Sequence, residues 1–264
     1  MTSTANSPRI VAIIPARLGS SRFPGKPLAP ILGLPMIRWV YRHTAACPLL
    51  HETYVATCDK AIFNAVEGFG GKAVMTADTH LRASDRVAEA AQSIEADIYV
   101  MVQGDEPMVT PDMIEAALCP MIDDPSIPCV NLMKRIGTRG EVENRNVIKV
   151  VTSLSGSALY FSREPIPTSA VLGQDAVTCY KQVCIIPFRR EALQRFHDLP
   201  PTPLEVVESI DMLRFLEHGS SVRMIETHAE THAVDTPEDL ILVEKLMRNA
   251  GLDADSGNSL HSGL

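Results

Sequence analysis

Short apolar runs alternate with longer stretches of helical period along the first half of the chain. The run at residues 10–15 is followed by a helical pattern at 36–45, that at 53–57 by 60–68, that at 73–76 by 86–94, and that at 98–102 by 111–122. Unbroken apolar runs suit strands covered on both faces, and apolar positions recurring every three or four residues suit helices that cover them. The pattern predicts an α/β, Rossmann-like fold with a mostly parallel sheet, helices on both faces, and ligands beyond the carboxyl ends of the strands.

The second half reads differently. Residues 129–135, 147–152, 158–162 and 183–188 read as strands without long helices between them, which predicts an antiparallel addition. The polar, Pro-containing stretch 163–178 reads as a mobile or interface loop. Helices at 190–196 and 204–217 and a strand at 222–227 follow. A last helix starts at Thr236-Pro237-Glu238-Asp239, with Thr as N-cap, Pro at the first helical position and an acid three residues after the cap. Leu240, Val243, Leu246 and Met247 give it an apolar face. We expect one domain over residues 9–248, with 1–8 and the Gly/Ser/Asp-rich 251–264 disordered.

The chain has 264 residues, 45% of them hydrophobic, and a net charge of −8. That charge argues against nonspecific binding to nucleic acid or membrane surfaces, and the sparse aromatics are not interleaved with basic patches. No apolar run approaches the roughly 18 residues of a membrane span. Six cysteines without a C-x-x-C pair suit a reduced cytoplasm better than a disulfide framework or zinc site. His228 and His232 have helical metal spacing, but their segment reads as strand and loop.

Against this acidic background one basic loop stands out. After the first strand comes Ala16-Arg-Leu-Gly-Ser-Ser-Arg-Phe-Pro-Gly-Lys-Pro27. Arg17, Arg22 and Lys26 supply positive charge, while Gly19, Ser20, Ser21 and Gly25 let backbone N–H groups approach an anion closely. The spacing is neither that of a Walker A loop nor of a dinucleotide fingerprint. A solvated basic loop is the competing reading; a cradle for a nucleotide triphosphate is the one preferred. The fourth strand ends Val102-Gln-Gly-Asp-Glu-Pro107, placing Asp105 on the same sheet edge as the first candidate ligand for Mg2+, which takes one or two carboxylates plus phosphate and water oxygens. Asp235, just before the Thr236 cap, is the second; Glu238 and Asp239 are explained by the helix N-terminus.

Taken together, Ile13-Ile-Pro-Ala-Arg17 with Ser20, Arg22 and Pro24-Gly-Lys-Pro-Leu28, then Val102-Gln-Gly-Asp-Glu-Pro107, Ala158-Leu-Tyr-Phe-Ser-Arg163 and Val234-Asp-Thr-Pro-Glu-Asp-Leu240, resemble the CMP-Kdo synthetase family of cytidylyltransferases. The resemblance runs in order from residue 10 to about 247. It implies a Rossmann-like nucleotidyltransferase, usually a homodimer, that uses CTP and Mg2+. It also implies Arg17, Arg22 and Lys26 on the triphosphate, Gln103 on nucleotide or acceptor, and Asp105 and Asp235 on metal, while Ser20 and Ser21 join the nucleotide candidates through the loop's backbone N–H groups. Lys26, Arg17 and Asp105 would carry the catalysis, an in-line attack on the α-phosphorus of CTP.

The sequence also departs from the family. The family's His-x-Ser-Gly-Thr-Glu-Arg segment is here His80-Leu-Arg-Ala-Ser-Asp-Arg86, with an added Arg82 and no glycine. The sugar-reading strand becomes Gln182-Val-Cys-Ile-Ile-Pro-Phe188, and a Glu-Gln pair becomes Asp211-Met212. Several groups that would read hydroxyls are thus replaced. Arg82, Arg86, Lys149, Arg163, Gln182 and Asp211 are the expected acceptor contacts, with Lys181 as a further cation. The cations suit a small, densely charged acceptor, phosphonoformate being favoured on this reading, with Kdo or a related 2-keto sugar acid as the alternative.

Overall fold

The structure, a computed structural model, describes residues 7–20, 22–168 and 178–253. Ser21, most of the 163–178 loop and the outer parts of both expected disordered ends lie outside the described residues.

The first β-strand, β1 (Ile10–Ala16), is buried at every position because its two faces enter two different cores. Val11 and Ile13 join one, and Ile10, Ala12 and Ile14 join the other, as the twofold alternation of a strand requires. Around β1 run β4 (Glu52–Thr57), β5 (Lys72–Met75) and β6 (Ile98–Val102), all parallel, in the order β6-β1-β4-β5. Helices α1 (Met36–Ala45), α2 (Lys60–Gly68) and α4 (Pro111–Asp123) cover one face, and α3 (Ala83–Ala91) and α6 (Arg190–Asp198) the other. A short ribbon of β2 (Pro30–Ile31) and β3 (Leu34–Pro35) precedes α1. It turns at Leu32 and Gly33, both at positive φ.

A second five-stranded sheet has the order β12-β7-β10-β8-β9, built from β7 (Val130–Arg135), β8 (Lys149–Thr152), β9 (Ala158–Ser162), β10 (Tyr180–Val183) and β12 (Arg223–Glu226). All its pairings are antiparallel except β12 with β7, so the expected antiparallel addition is a sheet in its own right.

Two expected elements divide. The strand expected at 183–188 belongs to both sheets: β10 ends at Val183, and β11 (Ile185–Arg189) pairs antiparallel with β6 at the edge of the first sheet. Cys184 is the single residue between them. The helix expected at 204–217 becomes α7 (Pro203–Glu208) and α8 (Met212–Glu217), interrupted where Ser209 takes a left-handed backbone. A short α5 (Arg139–Glu143) was not anticipated.

The helices around the break are joined by a buried ionic network. The Arg214 guanidinium donates twice to Glu205, at 2.8 and 2.6 Å, and twice to Asp85, at 2.9 and 3.5 Å, and stacks on Phe196. The final helix α9 (Pro237–Asn249) forms a third cluster through Val243 and Met247 against Ile31, Met36 and Trp39. Among the described residues no helix is long and apolar enough to cross a membrane.

Candidate active site

The carboxyl ends of β1 and β6 adjoin, so the loops that follow them face the same space. Gly104 makes this proximity possible: a Cβ there would lie 2.7 Å from the Pro15 carbonyl oxygen. The next residue, Asp105, is thereby set beside the basic loop. The segment after β12 then crosses over, because the Val234 N–H donates to the Asp105 carbonyl at 2.9 Å and brings Asp235 alongside. Asp235 therefore comes from an irregular segment nine residues past β12, not from a strand end.

The basic loop is folded on itself. The Leu18 carbonyl accepts from the Ser20 and Gly25 N–H groups, and Asp59 accepts from the Leu18 N–H at 2.8 Å. The Ser20 hydroxyl accepts from the Phe23 N–H, so it shapes the turn. Lys26 is buried, and its ammonium donates to Asp105 Oδ2 at 2.8 Å and the Val234 carbonyl at 2.6 Å, and lies 3.8 Å from Asp235 Oδ1. Arg22 donates to Asp235 at 2.9 Å and to Asn146, while Arg17 is exposed at the mouth.

One ammonium thus touches both carboxylates. That is the place a divalent cation would take between Asp105 and Asp235, with phosphate and water oxygens completing an octahedron, so this donor set fits Mg2+. Beside it Glu106 is buried, and desolvation pushes its carboxyl up to about 7 although Thr231 donates to it at 2.6 Å.

Two connected cavities meet here. The smaller, about 280 Å³, is lined by Arg17, Ser20, Arg22, Lys26, His80 and Gln103, among others, and gathers the described nucleotide candidates. The larger, about 580 Å³, lies toward the second sheet and shares Arg22, Gln103, Asp105 and Asp235 with the first. Gln103 stands at the junction of the sheets, its N–H donating to the Cys184 carbonyl at 3.1 Å.

The expected acceptor residues separate. Arg163, Gln182 and Asp211 line the larger cavity, and Arg82 lines both. The Gln182 amide donates to Asn131 at 2.6 Å. Asp211 accepts from the Ser84 N–H and hydroxyl, while burial pushes its carboxyl up. The Arg163 guanidinium donates to the carbonyls of Glu208, Arg145 and Ser209. Arg86 lines only the smaller cavity, where it donates to Thr76 and Ala77 and braces the loop carrying His80.

Lys149 is a correction. It is fully buried and its ammonium donates to the carbonyls of Asn144, Val147 and Arg163, so it ties the cavity wall together from behind and offers no charge to a ligand. Three contributors were not anticipated. Asn146 holds Arg22, Glu141 accepts from Lys181 at 2.7 Å, and Ser209 holds Arg82. They sit in loops and a short helix whose polar residues carry no distinguishing pattern.

Comparison with known proteins agrees with this geometry. A family model described as Cytidylyltransferase matches residues 11–229. The chain is 46% identical over 250 residues to the 3-deoxy-manno-octulosonate cytidylyltransferase of Geobacter metallireducens, covering 91% of this chain and 98% of the relative. It is also 46% identical over 247 residues to the protein so named from Geobacter sulfurreducens, covering 90% and 99%. A solved CMP:2-keto-3-deoxy-manno-octonic acid synthetase complexed with CTP superposes with a TM-score of 0.85 at 41% identity, covering 92% of this chain and 99% of that one. A putative glucose-1-phosphate thymidylyltransferase from Bacillus anthracis shares the fold, at 13% identity and a TM-score of 0.65 over 91% of this chain and 96% of that one. The chain is a CTP-dependent cytidylyltransferase and belongs to the CMP-Kdo synthetase family.

Proposed function

We propose that the acceptor is a 2-keto-3-deoxy sugar acid of the Kdo type, which the enzyme joins to CMP with release of pyrophosphate, as a step toward a surface polysaccharide. This replaces the phosphonate favoured on sequence alone. The observation that carries it is the fate of the cations. Lys149 is bound by three carbonyls and Lys181 is paired with Glu141, while Arg163 commits three of its five N–H groups to carbonyls and keeps two. With Lys149 turned away and Lys181 neutralised, fewer cations remain than a compact polyanion would call for, and the cavity of about 580 Å³ has room for a sugar acid.

The roles follow from position. Arg17, Arg22 and Lys26 take the triphosphate, Gln103 stands between nucleotide and acceptor, and Asp105 and Asp235 hold Mg2+. When bound, the metal withdraws charge from phosphate oxygens and orients them. An acceptor hydroxyl oxygen attacks the α-phosphorus, the bond to the pyrophosphate oxygen breaks with its electron pair, and the acceptor proton leaves to solvent. The chain contributes chiefly alignment and fixed positive charge against the developing negative charge. Assembly as a homodimer and a cytoplasmic location, where CTP is at hand, complete this reading.

A small phosphonate such as phosphonoformate is the second reading, and one observation favours it: Met101, Val183, Ile186, Ile210 and Met212 give the larger cavity an apolar lining that reads no hydroxyls. Pyrophosphate release with CTP and Mg2+ across Kdo, other 2-keto sugar acids and small phosphonates decides. Turnover of Kdo with none of phosphonoformate supports the first reading. The reverse outcome replaces it with the second, and CTP binding without turnover of any acid overturns both.

A further inference from the structure

Ser209 stands at the break between α7 and α8 with a left-handed backbone, φ 56° and ψ 50°. Glycine serves such a position better than any residue with a Cβ. The turn alone therefore gives no reason for a side chain here.

What the side chain does is visible in its partners. Arg82 Nη1 donates to the Ser209 hydroxyl, and Arg163 Nη2 donates to the Ser209 carbonyl at 3.1 Å. A single residue thus fixes two guanidiniums, and both line the larger cavity. They feel one another: after burial and Arg22, Arg82 is among the influences that lower the Arg163 pKa. The other partners of Arg82 are longer: its Nη2 donates to the Glu205 carbonyl at 3.4 Å, and two carboxylates pair with its Nε. Glu205 lies 3.7 Å and Asp211 3.9 Å from Arg82 Nε, while Glu205 is engaged by Arg214 and Asp211 by Ser84. Two like charges held side by side at a cavity wall make a place for an anion.

Building on the reading of this cavity as the acceptor's, we infer that Ser209 is a positioning residue that sets Arg82 beside Arg163 as a two-guanidinium clamp for the acceptor's acidic group, carboxylate or phosphonate. Glycine in its place would make the turn and lose the clamp. Arg163 has further anchors in Glu208 and Arg145 at 2.7 and 3.0 Å, whereas the other contacts of Arg82 are 3.4 Å or longer, so Arg82 is the partner that depends more on Ser209.

Two substitutions separate this from a structural role. Ser209→Gly eases the backbone and removes the hydroxyl; Ser209→Asn tolerates the left-handed conformation and restores an accepting oxygen. Each is assayed with Kdo and with phosphonoformate for acceptor and CTP KM, for thermal midpoint, and for 15N relaxation of the arginine Nε–H groups. The expected result for Ser209→Gly is an equal or higher midpoint, an acceptor KM raised about fivefold through loss of one hydrogen bond, a smaller rise in the CTP KM because Arg82 also borders the smaller cavity, and new nanosecond motion at Arg82. Ser209→Asn recovers part of the loss, and Ser209→Gly has no further effect in an Arg82→Ala background. An unchanged acceptor KM with Arg82 still rigid overturns the proposal. So does an equal rise in the CTP KM, or full additivity with Arg82→Ala. Absence of wild-type turnover on either acid refutes the proposed acceptor class, and the relaxation of Arg82 then judges Ser209 by itself.

Discussion

Lys26 shows how much of the site rests on single side chains. It is buried between two carboxylates and a carbonyl and lines the smaller cavity, the space proposed for the triphosphate. Stabilising charge that grows during phosphoryl transfer is worth more in the transition state than in the bound ground state. Lys26→Met should therefore lower kcat by about a hundredfold or more, with a smaller rise in the CTP KM, in steady-state assays. Asp105→Asn should abolish Mg2+-dependent turnover while circular dichroism stays native, because the contact that holds the crossing segment uses the Asp105 main chain. Near-normal turnover in either variant removes the role assigned. At Lys149 the sequence displays a charge but not its surroundings, so a cation aimed at a ligand and one bound by three carbonyls look alike there. Its replacement by Met leaves those carbonyls without a donor and should cost about 3 kcal/mol in urea unfolding.

Elements were legible where a local rule sufficed. The cap of α9 is one: the Thr236 hydroxyl accepts from the Asp239 N–H, and the Asp239 carboxylate accepts from the Thr236 N–H, as the sequence foretold. Thr236→Ala should cost about 1 kcal/mol in thermal or urea unfolding. Burial works against the charged Asp239 carboxylate, but bonds from His232 and the Asp235 and Thr236 N–H groups outweigh it and hold its pKa below the ordinary value. A depressed carboxylate stabilises the fold above its unfolded pKa, near ~4, and that stability is lost as pH falls through the lower folded value. Hydrogen exchange in the first turn of α9 should rise over that acid range, and Asp239→Asn should remove the pH dependence. The parallel strands were legible for a similar reason: burial on both faces imposes an unbroken apolar run. The transfer at Cys184 was not, since Val183 and Ile185 are equally buried on either side of a change of sheet. Nor was the break at Ser209, where the surrounding residues keep a helical pattern and only contacts from Arg82 and Arg163 single out the turn.

At the scale of the whole molecule, the site is assembled from segments that meet only through the fold: the basic loop after β1, the end of β6, the crossing segment before α9, and the 144–147 loop of the second sheet. Charges on these segments pair with one another. Lys26 holds Asp105, and Arg22 spans from Asp235 to Asn146. The cations assigned to the triphosphate thus occupy the carboxylates assigned to the metal. On the roles proposed above, nucleotide and metal binding would exchange these partners together, phosphate drawing off Arg22 and Lys26 and leaving Asp105 and Asp235 to hold the divalent ion. The two ligands should consequently bind with positive coupling, each strengthening the other by the same factor. Mn2+ titrations followed by electron paramagnetic resonance should show weak binding to the protein alone and tight binding with CTP present. Arg22→Ala removes one competitor. It should tighten Mn2+ binding to the nucleotide-free protein about two- to fivefold, as an exposed ion pair allows, while weakening CTP. Unchanged Mn2+ binding by that variant would mean that Arg22 does not hold Asp235 back from the metal.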